Sequence, residues 1–118
     1  MDDDRPLFRQ LAERIENQII DGSLPEGGQV PSTNEFAAFH RINPATALKG
    51  VGLLVEAGVL YKRRGIGMFV AEGAREALLA SRRATFHDEF VRPLIAEARA
   101  LGITPDDLAT MIREDPTA

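Results

Sequence analysis

Apolar residues recur every fourth position at Leu7, Leu11, Ile15 and Ile19, with Phe8, Ala12 and Ile20 widening the stripe. Arg9, Glu13, Arg14, Glu16 and Asn17 fill the other face. This period marks an amphipathic helix packed on one side, so a helix is predicted from Leu7 to Ile20. Pro6 suits its first turn and Gly22 its end. Ser23 to Pro31 then holds two Pro and two Gly and predicts a loop, with Leu24 and Val30 as its apolar anchors. Ser32 with Glu35 three residues later is a capping-box pattern. A short helix is predicted from Thr33 to about Phe39, with Phe36, Ala37 and Phe39 turned inward. His40 to Ile42 is the turn. Asn43 followed by Pro44 opens the next helix, which carries Ala47, Val51, Leu54 and Val55 as its apolar stripe to about Ala57. Gly58 stops it.

The period then changes. Val59 to Tyr61 and Met68 to Ala71 predict two short strands, with Lys62-Arg63-Arg64-Gly65-Ile66-Gly67 as a basic turn between them. From Gly73 the pattern is helical again, and Pro93 predicts a kink or a break near Val91. Gly102 ends that stretch. A last helix is predicted from Thr104 to about Arg113, with Leu108 and Ile112 as its apolar residues. The sum is a mostly α fold with a small β-hairpin wing. A winged helix-turn-helix occupies residues 5–73, and a short helical segment occupies residues 74–118.

Composition narrows the function. The 118 residues are 44% hydrophobic and 27% charged, a soluble globular balance, and include no Cys, which excludes disulfides, thiolate metal sites and Cys nucleophiles. No apolar run is long enough to cross a membrane. The acidic Asp2-Asp3-Asp4 end is not a signal peptide and is expected to be solvated. A cytoplasmic protein is expected. The net charge of −4 is unevenly spread. Residues 40–70 carry Arg41, Lys49, Lys62, Arg63 and Arg64 against Glu56 alone, a net of +4 inside an otherwise acidic chain. Such a segment suits a polyanion. His40 and His87 lack metal-ligand spacing. Asp88-Glu89 and Asp106-Asp107 are sequence neighbours that point apart on a helix. Gly65-Ile66-Gly67 lacks the third glycine and the following helix of a nucleotide loop. No cofactor, metal or enzyme activity is expected.

In a helix-turn-helix the second helix enters the major groove with its N-terminal residues at the base edges. The candidate contacts on that helix are Asn43, Ala45, Thr46 and Lys49. Ser32, Thr33 and Asn34 open the preceding helix, whose unpaired N–H groups would face a phosphate. Arg63 and Arg64 would bring charge to the duplex, while Gly65 and Gly67 let the wing tip turn sharply. Capping alone also accounts for Ser32 and Asn43, and a solvated turn for Lys62 to Arg64.

Residues 7–71 resemble the DNA-binding domain of the GntR family of bacterial regulators. Leu24-Pro25-Glu26-Gly27-Gly28-Gln29-Val30-Pro31-Ser32 is similar to its loop. Leu53 to Leu60 is similar to the end of its recognition helix, and Gly65-Ile66-Gly67-Met68-Phe69-Val70 to its Gly-x-Gly-x-Phe-Val wing. Three departures stand out: Asn34 and Leu48 where the family commonly has basic residues, and Asn43-Pro44 where it commonly has Ser-Arg. The short tail resembles the YtrA-like branch, whose members often regulate transporter operons. The resemblance implies a homodimeric repressor on a pseudo-palindromic operator in double-stranded DNA, with the tail as its dimerisation device. Phe86, Phe90, Leu94, Ile95 and Leu101 are the candidates to pack against a second copy, the alternative being that they cover their own domain. The sequence names no small-molecule effector. The alternative is a winged-helix adaptor that binds protein instead of DNA.

Overall fold

The four-residue apolar spacing is realised as helix α1 (Leu7–Ile20), in which Leu11, Ile15 and Ile19 are buried. The structure, a computed structural model, describes residues 5–118, so the acidic Asp2–Asp4 end lies outside the described residues. The stretch expected to be all loop contains a two-residue strand, β1 (Gln29–Val30), whose Val30 is buried. Leu24 packs against the core, as its apolar character requires. Helix α2 (Thr33–His40) and helix α3 (Pro44–Glu56) follow, then strands β2 (Leu60–Arg63) and β3 (Gly67–Val70). Helix α4 (Ala74–Phe86), helix α5 (Arg92–Ala100) and helix α6 (Pro105–Glu114) complete the chain.

The hairpin is part of a three-stranded antiparallel sheet of order β1-β3-β2. Val30 pairs with Met68, and Leu60, Tyr61, Lys62 and Arg63 pair with Val70, Phe69, Met68 and Gly67. Side chains alternate across a strand, so Val30, Leu60, Lys62, Met68 and Val70 share one face. That face is buried except at Lys62. Gln29, Tyr61, Arg63 and Phe69 share the other.

Phe39 does not turn inward and is 81% exposed. Phe36 and Ala37 hold the inner face of α2, and Phe39 lies about 200° around the helix from Ala37. Its ring meets His40 edge-on at 5.0 Å.

The chain divides into two compact units, the first ending at Leu79 and the second spanning Ala80–Ala118. The first has one core, drawn from α1, α2, α3 and the sheet, and it includes Ala74 and Leu78 from the start of α4. In the second, α4 and α5 are separated by a π-helical turn at His87–Val91. Pro93, near the start of α5, has no N–H to donate to the carbonyl ladder, and the wide turn falls where that donor would be missed. Helix α6 is capped by Thr104, whose hydroxyl accepts from the Asp107 N–H at 3.1 Å.

Candidate nucleic-acid interface

The turn between α2 and α3 is held by its backbone. Arg41 adopts a left-handed conformation (φ +54°), and the Ile42 N–H donates to the Ala37 carbonyl at 3.0 Å. The chain then enters α3 through Asn43, whose Oδ1 accepts from the Ala45 N–H at 2.7 Å, with Pro44 in the first turn. Ala47, Gly50, Val51 and Leu54 are buried, while Asn43, Ala45, Leu48 and Lys49 are exposed and Thr46 is partly so. The outer face of α3 is therefore short, mixed in polarity and led by its N-terminal residues.

Gly50 governs how closely α3 lies on α1. A Cβ there would stand 2.6 Å from the Phe8 carbonyl oxygen. The close approach brings Lys49 to Phe8, with Nζ 4.2 Å from the ring centroid. The ammonium is thus held by a cation–π contact at the edge of the exposed face.

At α2, the Ser32 hydroxyl accepts from the Glu35 N–H, and the Glu35 carboxylate accepts from the Ser32 N–H. The Ser32 N–H, and secondarily its hydroxyl, hold the Glu35 carboxyl below its ordinary range. His40 is lowered as well, chiefly by burial and then by the nearby Arg14.

Two clefts adjoin this helix start. One, of about 440 Å³, lies between the starts of α2 and α3 and is lined by Ser32, Thr33, Asn34, Pro44, Ala45 and Leu48. The other, of about 560 Å³, opens between α2 and the wing and takes in Ser32 and Thr33 on one side and Lys62 to Gly67 on the other. Of the sequence-predicted residues, Ser32, Thr33, Asn34 and Ala45 gather around the first cleft. Ser32, Thr33, Arg63, Arg64, Gly65 and Gly67 gather around the second. Asn43, Thr46 and Lys49 line neither.

The wing tip is closed by the Ile66 N–H donating to the Arg63 carbonyl at 2.9 Å. Gly65 (φ +76°) and Gly67 (φ +144°) occupy backbone regions that other residues rarely adopt. A Cβ on Gly67 would also collide with the side-chain amide of Gln29. That amide donates to the Ile66 carbonyl at 3.1 Å and braces the tip from β1. The Arg63 guanidinium lies 5.5 Å from the Phe69 ring, which stacks on Tyr61 at 5.7 Å. Lys62, on the opposite face, shares the cleft with Ser32 and Thr33. The sequence assigns contacts to Arg63 and Arg64, counts Lys62 only within the basic turn, marks Leu48 only as a departure from the family pattern, and gives Gln29 no role. The alternation of the hairpin held the signal for Lys62, once its register was known.

Among the described residues, no group of His, Asp or Glu side chains is placed to hold a metal ion, and no helix is long and apolar enough to cross a membrane. A capped two-helix turn, an exposed second helix and a basic hairpin beside them define a winged helix-turn-helix regulator of transcription. The profile of the bacterial regulatory proteins of the gntR family matches residues 7–70, over half of the chain, and the chain belongs to that family. It is a DNA-binding transcriptional regulator and not an enzyme. It is 33% identical over 100 residues to the HTH-type transcriptional regulator Rv0792c of Mycobacterium tuberculosis, covering 85% of this chain and 34% of that protein. The chain thus spans about a third of that relative's length. It is 27% identical over 109 residues to the HTH-type transcriptional repressor YtrA of Bacillus subtilis, covering 92% of this chain and 83% of the relative. A GntR-family regulator structure from Bacteroides thetaiotaomicron superposes with a TM-score of 0.74 at 32% identity, over 92% of this chain and 94% of that one. Its likeness extends past the winged helix into the helical tail.

Proposed function

We propose that the chain is a homodimeric repressor that binds a pseudo-palindromic operator in double-stranded DNA, with one reader on each half-site. The single observation that carries this reading is the convergence of the α2 start and the basic wing turn on one cleft beside the exposed N-terminal face of α3. In this reading the N–H groups behind Ser32, together with Thr33 and Asn34, hold a phosphate. Lys62, Arg63 and Arg64 flank it, with Gly65 and Gly67 shaping the tip. Asn43, Ala45, Thr46 and Lys49 meet the base edges, where Asn pairs with adenine and Lys reaches guanine. Leu48, at 55% exposure, adds an apolar contact of the kind a thymine methyl accepts.

Symmetry is the second half of the proposal. Phe86, Phe90, Leu94, Ile95 and Leu101 are between 41% and 65% exposed in the second unit, and the Phe86 and Phe90 rings lie 5.7 Å apart. An apolar set of this kind marks an interaction surface, and a second copy of the same chain is the occupant that a two-fold operator requires. The match to YtrA, itself named a repressor, spans 92% of this chain and supports repression as the output. The branch resemblance points to an operon that includes a transporter. The test is selection of bound fragments from random DNA, with sedimentation of the same sample. Recovery of a two-half-site consensus by a dimer is the expected result. Binding that ignores sequence, or no binding at all, would leave the adaptor reading in its place.

A further inference from the structure

Two helix ends of the first unit cap each other from positions 55 residues apart. The Arg75 Nε–H donates to the Ile20 carbonyl at 2.8 Å, and the Arg75 backbone N–H donates to the Glu26 carboxylate at 3.1 Å. Ile20 is the last residue of α1, so its carbonyl is among the four a helix leaves without an internal partner. Arg75 is the second residue of α4, so its N–H is among the four unpaired donors at the opposite end. Each charge also stands where the helix dipole favours it, the cation at a C-terminus and the anion at an N-terminus. The loop that carries Glu26 is tied to the wing as well. The Gly27 N–H donates to the Val70 carbonyl at 2.9 Å, and the Val70 N–H donates to the Gly28 carbonyl at 3.0 Å.

This loop therefore joins the end of α1, strand β3 and the first turn of α4. Ala74 and Leu78 already bury one face of α4 in the core. Apolar contacts are non-directional and leave the helix some freedom to swivel on that face. The two hydrogen bonds of Arg75 are directional and oppose such a swivel. Helix α4 is also the segment on which the chain passes from the first unit to the second. Neither Glu26 nor Arg75 lines the clefts of the reader.

We infer that Glu26 and Arg75 are positioning residues that set the half-site spacing the dimer accepts, by fixing the direction in which α4 leaves the reader. The inference rests on the homodimer proposed above. Two linked readers outperform one only as far as geometry lets both engage at once, so a loosened α4 start weakens two-site binding and leaves one-site binding intact.

The probe is a duplex that the native chain selects from random DNA, rebuilt with its half-sites moved one base pair at a time, beside a duplex carrying a single half-site. For Arg75→Ala and Glu26→Ala, single half-site affinity stays within about twofold of native, while two-site affinity falls about tenfold and the spacing optimum broadens. Glu26→Gln keeps an acceptor oxygen and restores the native spacing profile. Should Arg75→Ala fail to fold, Glu26→Ala carries the test, because the N–H it uncaps is solvated. Alanine variants that stay dimeric and keep the native profile, or lose one-site and two-site binding equally, overturn the latch alone. A native chain that sediments as a monomer overturns the homodimer, and the latch with it.

Discussion

Ser32 and Glu35 cap each other across the first turn of α2: the hydroxyl accepts from the Glu35 N–H at 3.1 Å, and the carboxylate accepts from the Ser32 N–H at 2.9 Å. Ser32→Ala leaves a helix-start donor without its partner and is expected to cost about 0.5–2 kcal/mol of stability, read from urea denaturation. The Glu35 carboxyl sits below its ordinary value of 4.5 in the folded chain. Its contribution is therefore complete above that value and lost as pH falls through the folded one. Glu35→Gln should flatten the acid limb of the stability profile, whereas Ser32→Ala keeps the backbone N–H that chiefly lowers the carboxyl.

Gly50 and Gly52 face opposite fates in one helix. Alanine normally gains about 0.5–1 kcal/mol over glycine in a helix interior, and nothing lies within 4 Å of a Cβ built on Gly52. Gly52→Ala should stabilise by about that amount. Gly50→Ala must push α3 away from the Phe8 carbonyl, 2.6 Å from the new atom, and such overpacking costs about 1–3 kcal/mol. Backbone gives way poorly, so the clash outweighs the propensity. Thermal melts of the two variants should move in opposite directions.

His40 makes the fold sensitive to mild acid. Burial, then Arg14, lower its pKa from the ordinary 6.5. Between the folded value and 6.5 the unfolded chain binds more protons than the folded one, so stability is complete above 6.5 and declines as pH falls through the folded value. The urea midpoint should drop between pH 7 and pH 5, and His40→Gln should remove that part of the drop.

The wing should announce itself through salt. If Arg64 neutralises a phosphate, Arg64→Ala weakens binding to all sequences and reduces the log–log salt slope by about one unit. Lys62→Ala should do the same, because Lys62 shares the cleft with Ser32. Unchanged slopes in both would take the wing out of the DNA contact.

Phe90, 62% exposed, stands among the apolar residues assigned to the dimer. Phe90→Asp should yield monomers by sedimentation and lose two-site operator binding. A variant that stays dimeric refutes the assigned interface.

The helices were legible because their signals are long or local. Four matched apolar positions declare α1, and single caps declare α2, α3 and α6. What escaped was set by pairing across the chain. β1 is two residues long, too short for a period, and it exists because β3 offers it an edge. The placement of Lys62 beside the α2 start follows from its register with Met68, which no local pattern encodes. Phe39 read as core by its chemistry, but α2 has only eight residues and its inner face was already taken. The break near Pro93 was foreseeable; that a π-helical turn at His87–Val91 accommodates it was not. The grouping of the expected contacts is not encoded locally: the two clefts divide them and leave Lys49 leaning on Phe8.

The sheet order β1-β3-β2 leaves β2 as its longer edge strand. An open edge presents unpaired N–H and C=O groups to any other chain in solution, and charged side chains are the usual guard against such strand addition. On β2 that guard is Lys62 and Arg63, two of the cations assigned to DNA. Stripping the wing of charge should therefore do more than weaken an operator complex: it should expose a strand edge and favour aggregation, read as loss of monodisperse protein.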